Sequence, residues 1–229
     1  MNDSAATVLP LDRLAVLVID LQEEHRIDHD HLVDGFEAVL SNAASIIAAA
    51  RAAVVPVIYA QYLRSEDGSD TPPLEAALFA GRPMYADRSG MGVAICPEVA
   101  PRPEDRVFEK SRSSCFHTGD LKRHLADAGI DHLLVCGVWT EACVLMTVMD
   151  AVQHDIHAFV VKDACGSGTQ AMHRSGILNI ANRLYGGGIL DTKRAVSLLR
   201  GESADIWICR RSITFFFDRD SLDSLYDSL

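Results

Sequence analysis

Three residues of different chemistry close three apolar or mixed runs in this chain. "LAVLVID" ends in the acid Asp20, "RVFEK" ends in the amine Lys110, and "VCGVWTEACV" carries the thiol Cys143 a few residues past an apolar run. Each has an ordinary reading when taken singly: a helix cap, an exposed strand-end charge, a packed small hydrophobe. Together they form a set that can cleave an acyl bond. A cysteine at a helix start faces aligned backbone donors, and a neighbouring ammonium adds to them, so both are expected to favour thiolate. Alkylation of such a thiol should stay fast below the ~8.5 of a free cysteine. Asp20 can take the thiol proton and return it to an amine leaving group. The backbone N–H groups of Trp139 and Cys143 are placed to hold an oxyanion.

The elements that must position these residues alternate. "LAVLVID" reads as a strand buried on both faces, and Phe36, Val39, Leu40, Ala43, Ile46, Ile47 and Ala50 recur at helical spacing behind Asp34, a candidate cap. "VVPVIYA" is a second strand. Residues 61–105 concentrate turn residues, with a short helix expected in "LEAALFA", and a connection of that length marks a pocket wall or lid. Then come a strand at "RVFEK", a helix at "TGDLKRHLADAG", a strand at "HLLVCGV", a helix at "EACVLMTVMDAVQH", a strand at "HAFVVKDAC", a helix near 169–185, a short strand at "GGGIL" and a helix from Asp191. The pattern predicts a three-layer α/β/α Rossmann-like sandwich around a mostly parallel sheet of about six strands, in a single domain over 1–229 with its core at about 14–199. In such a sheet ligands bind beyond the carboxyl ends of the strands, where the strand order reverses. The aromatic tail, 201–229, does not fit the alternation and is expected to pack on a neighbouring subunit.

Composition narrows the class of function. The net charge of -11 lacks the clustered cations that nucleic acid or an anionic membrane would require. Six cysteines without a CxxC pair read as reduced thiols, and no window has the length of a membrane span; a cytoplasmic protein is expected.

"VLVIDLQ", "FEKSRSSCFHTGDL" and "VCGVWTEACV", in this order, resemble the isochorismatase-like cysteine hydrolases, the superfamily of nicotinamidases, N-carbamoylsarcosine amidases and ureidoacrylate and biuret hydrolases. The resemblance runs from about Leu14 to Leu199. It implies an Asp20, Lys110, Cys143 triad, a cis peptide at Val138–Trp139 ahead of the oxyanion turn, and a homo-oligomer, dimer or tetramer. Metal-dependent nicotinamidases carry an Asp-x-His step where this chain reads "AQYLRSEDGSD", so no metal and no cofactor are expected. Isochorismatases that cleave a vinyl ether often lack the cysteine, so its presence favours amide or ureido hydrolysis.

Other residues divide between pocket and packing. Gln22, Tyr62, Phe116, His117 and Trp139 are candidate substrate contacts, although Gln22 can equally serve a helix start, His117 a helix cap, and the aromatics the core. Cys115 is the remaining cysteine expected nearest the pocket. The histidines of "HRIDHDH" match no structural zinc spacing and read as a solvated turn. Two functions follow: an amidohydrolase acting on a small molecule through Cys143, or a protein of the same fold that hydrolyses a vinyl ether or ester or only binds.

Overall fold

In the computed structural model, which describes residues 4–70, 78–79, 82–83 and 85–229, one eight-stranded sheet runs through the protein. Its strands in chain order are β1 (Ser4–Thr7), β2 (Leu14–Ile19), β3 (Val57–Tyr62), β6 (Arg106–Lys110), β7 (His132–Val138), β8 (His157–Gly166), β9 (Gly188–Leu190) and β10 (Ala204–Ile208). The two-residue strands β4 (Leu78–Phe79) and β5 (Arg82–Pro83) form a separate ribbon. The helices are α1 (Glu24–Ile27), α2 (Phe36–Ala52), α3 (Asp120–Asp127), α4 (Leu145–Gln153), α5 (Gln170–Ala181), α6 (Thr192–Leu199) and α7 (Leu222–Asp227).

The sheet order is β1-β10-β9-β8-β7-β2-β3-β6, and the six strands from β9 to β6 are mutually parallel. The chain builds outward from β2 through β3 to β6, then returns to the other side of β2 with β7. The order therefore reverses between β2 and β7, and the crevice beyond their carboxyl ends is where a doubly wound sheet takes its ligand.

Every residue of β2 is buried, and its alternating side chains feed two cores. Val16 and Val18 meet Phe36, Leu40, Ile46 and Leu198 on the face covered by α2 and α6; Ala15, Leu17 and Ile19 meet Leu121, Leu125, Val148 and Ile177 on the face covered by α3, α4 and α5. This two-sided burial is why the strand reads as an unbroken apolar run.

Two strands escape the sequence reading. Ser4–Thr7 pairs antiparallel with β10, and β10 pairs antiparallel with β9, which extends the expected six strands to eight. Within this chain, Trp207 and Phe215 of the tail are buried in the second core, α7 packs on α5, and Phe216 stays 82% exposed. The first cap differs as well. Gly35, at φ 70°, precedes α2, while Asp34 accepts a hydrogen bond from Gln170. In "LEAALFA", Leu78–Phe79 is strand, and the residues before it lie outside the described ones. Among the described residues no helix is long and apolar enough to cross a membrane.

Candidate active site

Asp20, Lys110 and Cys143 converge at the switch point. The Lys110 Nζ lies 2.7 Å from Asp20 Oδ2 and 3.3 Å from Cys143 Sγ, and it donates to the Arg112 carbonyl at 3.2 Å. It also stands 4.4 Å from the centre of the Tyr62 ring, which fills the gap left by the intervening strand β3. Asp20 and Lys110 side chains are only 3% and 4% exposed. Asp20 adopts φ 52° directly after β2, a conformation a non-glycine residue takes only when its surroundings hold it. Its Oδ1 has no hydrogen-bond partner among the described residues, so a buried acceptor stays available beside the thiol.

Burial raises the Asp20 carboxyl above its ordinary value, although the Lys110 ammonium pulls it back. Burial opposes the Lys110 charge, but the carboxylate beside it wins and holds the amine above the usual lysine range. The thiol of Cys143 is pushed well up, first by burial and then by the Asp20 charge, with Lys110 pulling the other way. The expected activation of a resting thiolate is thus reversed: a neutral thiol sits beside an ion pair. A thiol in this state becomes a nucleophile only by handing its proton to a nearby base.

Cys143 is also not at the first turn of α4. It sits in a five-residue π-helical turn, Thr140–Val144, that precedes α4, and the Val138–Trp139 peptide leading into it is cis. Ala142 and Val144 N–H groups both donate to the Trp139 carbonyl. Glycine is required where β7 enters this turn: a Cβ on Gly137 would lie 2.1 Å from the Ile19 carbonyl oxygen. On the far side, Gly176 of α5 backs against Thr140 and the Glu141 amide, where a Cβ would approach to 2.9 Å. The turn is thus clamped between β2 and α5.

Cys143 opens into a cavity of about 220 Å³ lined by Asp20, Glu24, His25, His31, Tyr62, Tyr85, Ser113, Val138, Trp139 and Ala142. That is small for a ligand site and fits a compact molecule. A larger hollow lies elsewhere, on the outer face of α2 and α6, and carries none of these groups. Of the residues expected to touch substrate, Tyr62 and Trp139 line the cavity. Gln22 does not: wholly buried, it donates to the Tyr62 and Val93 carbonyls at 3.0 Å each and accepts from the Tyr62 N–H at 2.7 Å, tying the strand ends together. Phe116 packs 5.4 Å from the His154 ring in the second core, and His117 faces solvent. Cys115 is buried behind Lys110, bonded to Thr147, and burial pushes its thiol up to about 11.

The cavity also takes Glu24, His25 and His31, the last two from "HRIDHDH", where a solvated turn is expected. His25 is 6% exposed and His31 lines the cavity, while His29 alone points to solvent. Burial brings His25 down to about 4, leaving its ring neutral. Its Nδ1 lies 3.2 Å from the His31 carbonyl and 3.4 Å from the indole Nε1 of Trp139, so it can answer one of the two, as donor or as acceptor. Glu24, buried at 6% exposure, accepts from the Ala86 N–H at 3.1 Å. Among the described residues one group has metal-ligand spacing, Glu23, Cys96 and Glu98, but the guanidinium of Arg26 occupies both carboxylates at 2.6–2.9 Å.

An acid, an amine and a thiol thus meet at the switch point of a mostly parallel α/β sheet. The isochorismatase domain matches residues 14–194, and the chain belongs to the isochorismatase family. It is an isochorismatase-family hydrolase. It is similar to the phenazine biosynthesis protein PhzD1 of Pseudomonas aeruginosa, 37% identical over 109 residues that cover 44% of this chain, and spans about half (53%) of that protein's length. It is also similar to the ureidoacrylate amidohydrolase RutB of Azorhizobium caulinodans, 27% identical over 197 residues, 74% of this chain and 84% of that one. The fold is shared with a crystal structure of a cysteine hydrolase from Pseudomonas syringae pv. phaseolicola, with a TM-score of 0.77 and 24% identity, covering 85% of this chain and 95% of that one.

Proposed function

We propose that the protein is a cysteine amidohydrolase that cleaves a C–N bond in a small amide, carbamoyl or ureido compound, with Asp20, Lys110 and Cys143 as its catalytic residues. The supporting observation is a thiol at the mouth of a small cavity, 3.3 Å from an ammonium that itself holds a buried carboxylate at 2.7 Å. Asp20 takes the Cys143 proton as sulfur attacks the substrate carbonyl carbon. The oxyanion is held by the N–H groups of Trp139 and Cys143. As the tetrahedral adduct collapses, the C–N bond breaks and Asp20 returns the proton to the departing amine, leaving a thioester on Cys143. Water then attacks the thioester, giving its proton to Asp20; the C–S bond breaks and the thiolate recovers that proton. Lys110 keeps the Asp20 carboxylate oriented and offsets the negative charge that builds beside it. Side chains and water handle every proton in this cycle, so the reading calls for no metal and no organic cofactor.

Membership of the isochorismatase family leaves a second reading, hydrolysis of a vinyl ether, in which Asp20 protonates the substrate and Cys143 forms no bond. One experiment separates the two. Ammonia release is followed over a panel of primary amides, carbamoyl and ureido compounds, with Cys143→Ala as control. Turnover that falls by more than about 10³-fold in the variant supports the thioester route. Turnover of a vinyl ether that survives in Cys143→Ala, with no amide consumed by the unaltered protein, overturns it.

A further inference from the structure

The cavity contains a second carboxyl group, and the cleavage chemistry has no use for it. Glu24 lines the same cavity as Cys143 and belongs to the four-residue helix α1. One of its oxygens, Oε2, is satisfied by the Ala86 N–H at 3.1 Å. The other, Oε1, has His25 Nε2 at 4.0 Å, beyond hydrogen-bond range, and that ring is neutral. The stem of the side chain is fixed from behind: a Cβ on Gly92 would stand 2.8 Å from the Glu24 Cβ, so the 3₁₀ turn Met91–Val93 closes directly on it. The carboxyl group is therefore buried, held in place, and has one acceptor oxygen left over.

Its surroundings define what could use that oxygen. Among the described residues that line the cavity none is a lysine or arginine. The nearby cations are engaged elsewhere: Lys110 holds Asp20, and Arg64 donates to the Tyr62 hydroxyl at 2.5 Å beneath the rings of Tyr62 and Tyr85. His31 gives its Nδ1 to Asp28 at 2.8 Å. The remaining wall is aromatic, with Tyr62 and Tyr85 5.7 Å apart and Trp139 beside His25. An acceptor among aromatic faces suits N–H groups, neutral or cationic. Above pH 7, where Glu24 is ionised, a carboxylate placed there would meet its charge with no counter-ion in the wall.

We propose that Glu24 is a recognition group of this cavity, and that it selects substrates whose non-scissile end carries N–H donors, an amide, ureido or ammonium group, over substrates that end in a carboxylate. The assignment rests on the amidohydrolase reading only for where the scissile bond sits. It sets this chain apart from an enzyme acting on ureidoacrylate, which ends in a carboxylate.

The test reads binding and needs no turnover. Calorimetry on the Cys143→Ala protein at pH 8, where Glu24 is ionised, compares three probes that share one primary amide and differ at the far end: malonamide, β-alaninamide and malonamate. Malonamide and β-alaninamide are expected to bind about 10-fold or more tightly than malonamate. In Cys143→Ala/Glu24→Gln the preference for β-alaninamide over malonamate should fall by at least about 10-fold. Equal binding of the three probes to Cys143→Ala overturns the proposal, as does the absence of binding by either N–H probe at about 10 mM. A preference left unchanged by Glu24→Gln overturns it as well. If the preference holds and follows Glu24 while the unaltered protein releases no ammonia from any amide, the amidohydrolase reading fails and the assignment of Glu24 stands.

Discussion

On the sheet side of the cavity, Asp20, Lys110 and the turn carrying Cys143 follow directly from the ends of parallel strands that pair residue by residue: Ile19 with Gly137 and with Ala60, Tyr62 with Lys110. In a second part of the cavity lining, Glu24, His25 and His31 hang from a four-residue helix and a turn, held by side-chain bonds to backbone groups. Gln22 ties to Tyr62 and Val93, and Glu24 to Ala86. The first side is fixed by a main-chain ladder that any sequence with this sheet shares. The second is fixed by particular side chains, so single substitutions can remodel it without touching the ladder. In the proposed reading, bond-breaking groups thus sit on the rigid side and recognition groups on the replaceable one.

The largest effect should come from breaking the rigid side at its centre. In Lys110→Met, Asp20 loses the one ion pair it makes among the described residues while remaining 3% exposed. An unpaired buried carboxylate is costly, so urea unfolding should show a loss of about 3–5 kcal/mol, together with loss of turnover. A loss under about 1 kcal/mol would mean that the surroundings, not the ammonium, hold the Asp20 charge.

A matched pair of glycine substitutions contrasts the two sides directly. In Gly137→Ala the new Cβ meets the Ile19 backbone oxygen at 2.1 Å, at φ 133°, and neither strand can retreat without breaking its pairing. A cost of about 3 kcal/mol or more is expected. In Gly168→Ala the nearest atom, at 2.8 Å, is Cζ3 of the Trp139 ring, which can shift toward the cavity. That change should cost about 1 kcal/mol and alter substrate affinity instead. Equal costs by thermal unfolding would erase the distinction between ladder and wall.

The wall has its own cost, visible in pH. Burial raises the Glu24 carboxyl from 4.5 to about 7 in the folded protein, so the folded state holds a proton that the unfolded chain releases. Stability from this group is complete below the unfolded value of 4.5, falls as pH rises toward 7, and stays low beyond it. Other groups titrate with the opposite sign in that window, His25 and His173 among them, both held near 4 by burial. The difference between the unaltered protein and Glu24→Gln isolates the carboxyl. The variant should gain roughly 2–3 kcal/mol relative to the unaltered protein between pH 5 and pH 8. A difference that does not change with pH would show that Glu24 ionises as freely as an exposed carboxylate.

The same contrast explains what could be read in the sequence. The ends of β2, β6 and β7 announce themselves through apolar runs that stop at Asp20, Lys110 and the Val138–Trp139 step, and the sheet order then brings them together. Nothing periodic marks residues 24–31. Their histidines and acids look solvated because the contacts that bury them come from Phe36, Ala86 and Trp139. Gln22 looks like a pocket residue by its closeness to Asp20, yet its amide is consumed by two backbone segments, which only the closed structure supplies. The thiol carries the same lesson in electrostatic form. Proximity to Lys110 is legible, but the burial that outweighs it is a property of the packed turn.

The smallest predicted effect concerns the tail, which joins the rigid side from outside. Thr140, the first residue of the π-turn, donates its hydroxyl to the Gly166 carbonyl at 2.9 Å, so its oxygen must accept from His173 Nδ1 at 2.8 Å. His173 is neutral, hence its Nε2 accepts from the Tyr226 hydroxyl on α7 at 3.1 Å. A directed chain of three hydrogen bonds therefore runs from the last helix to the turn that carries Cys143. Tyr226→Phe removes one donor and leaves the buried His173 nitrogen unanswered, which should cost about 1–2 kcal/mol by urea unfolding. The ladder still fixes Gly137 and the strand ends, so turnover should drop only a few-fold, with the loss in kcat and not in KM if the turn alone is loosened. A loss as deep as that of Lys110→Met would mean that the nucleophile turn depends on the tail as much as on the sheet, and that the two sides of the cavity are not held independently.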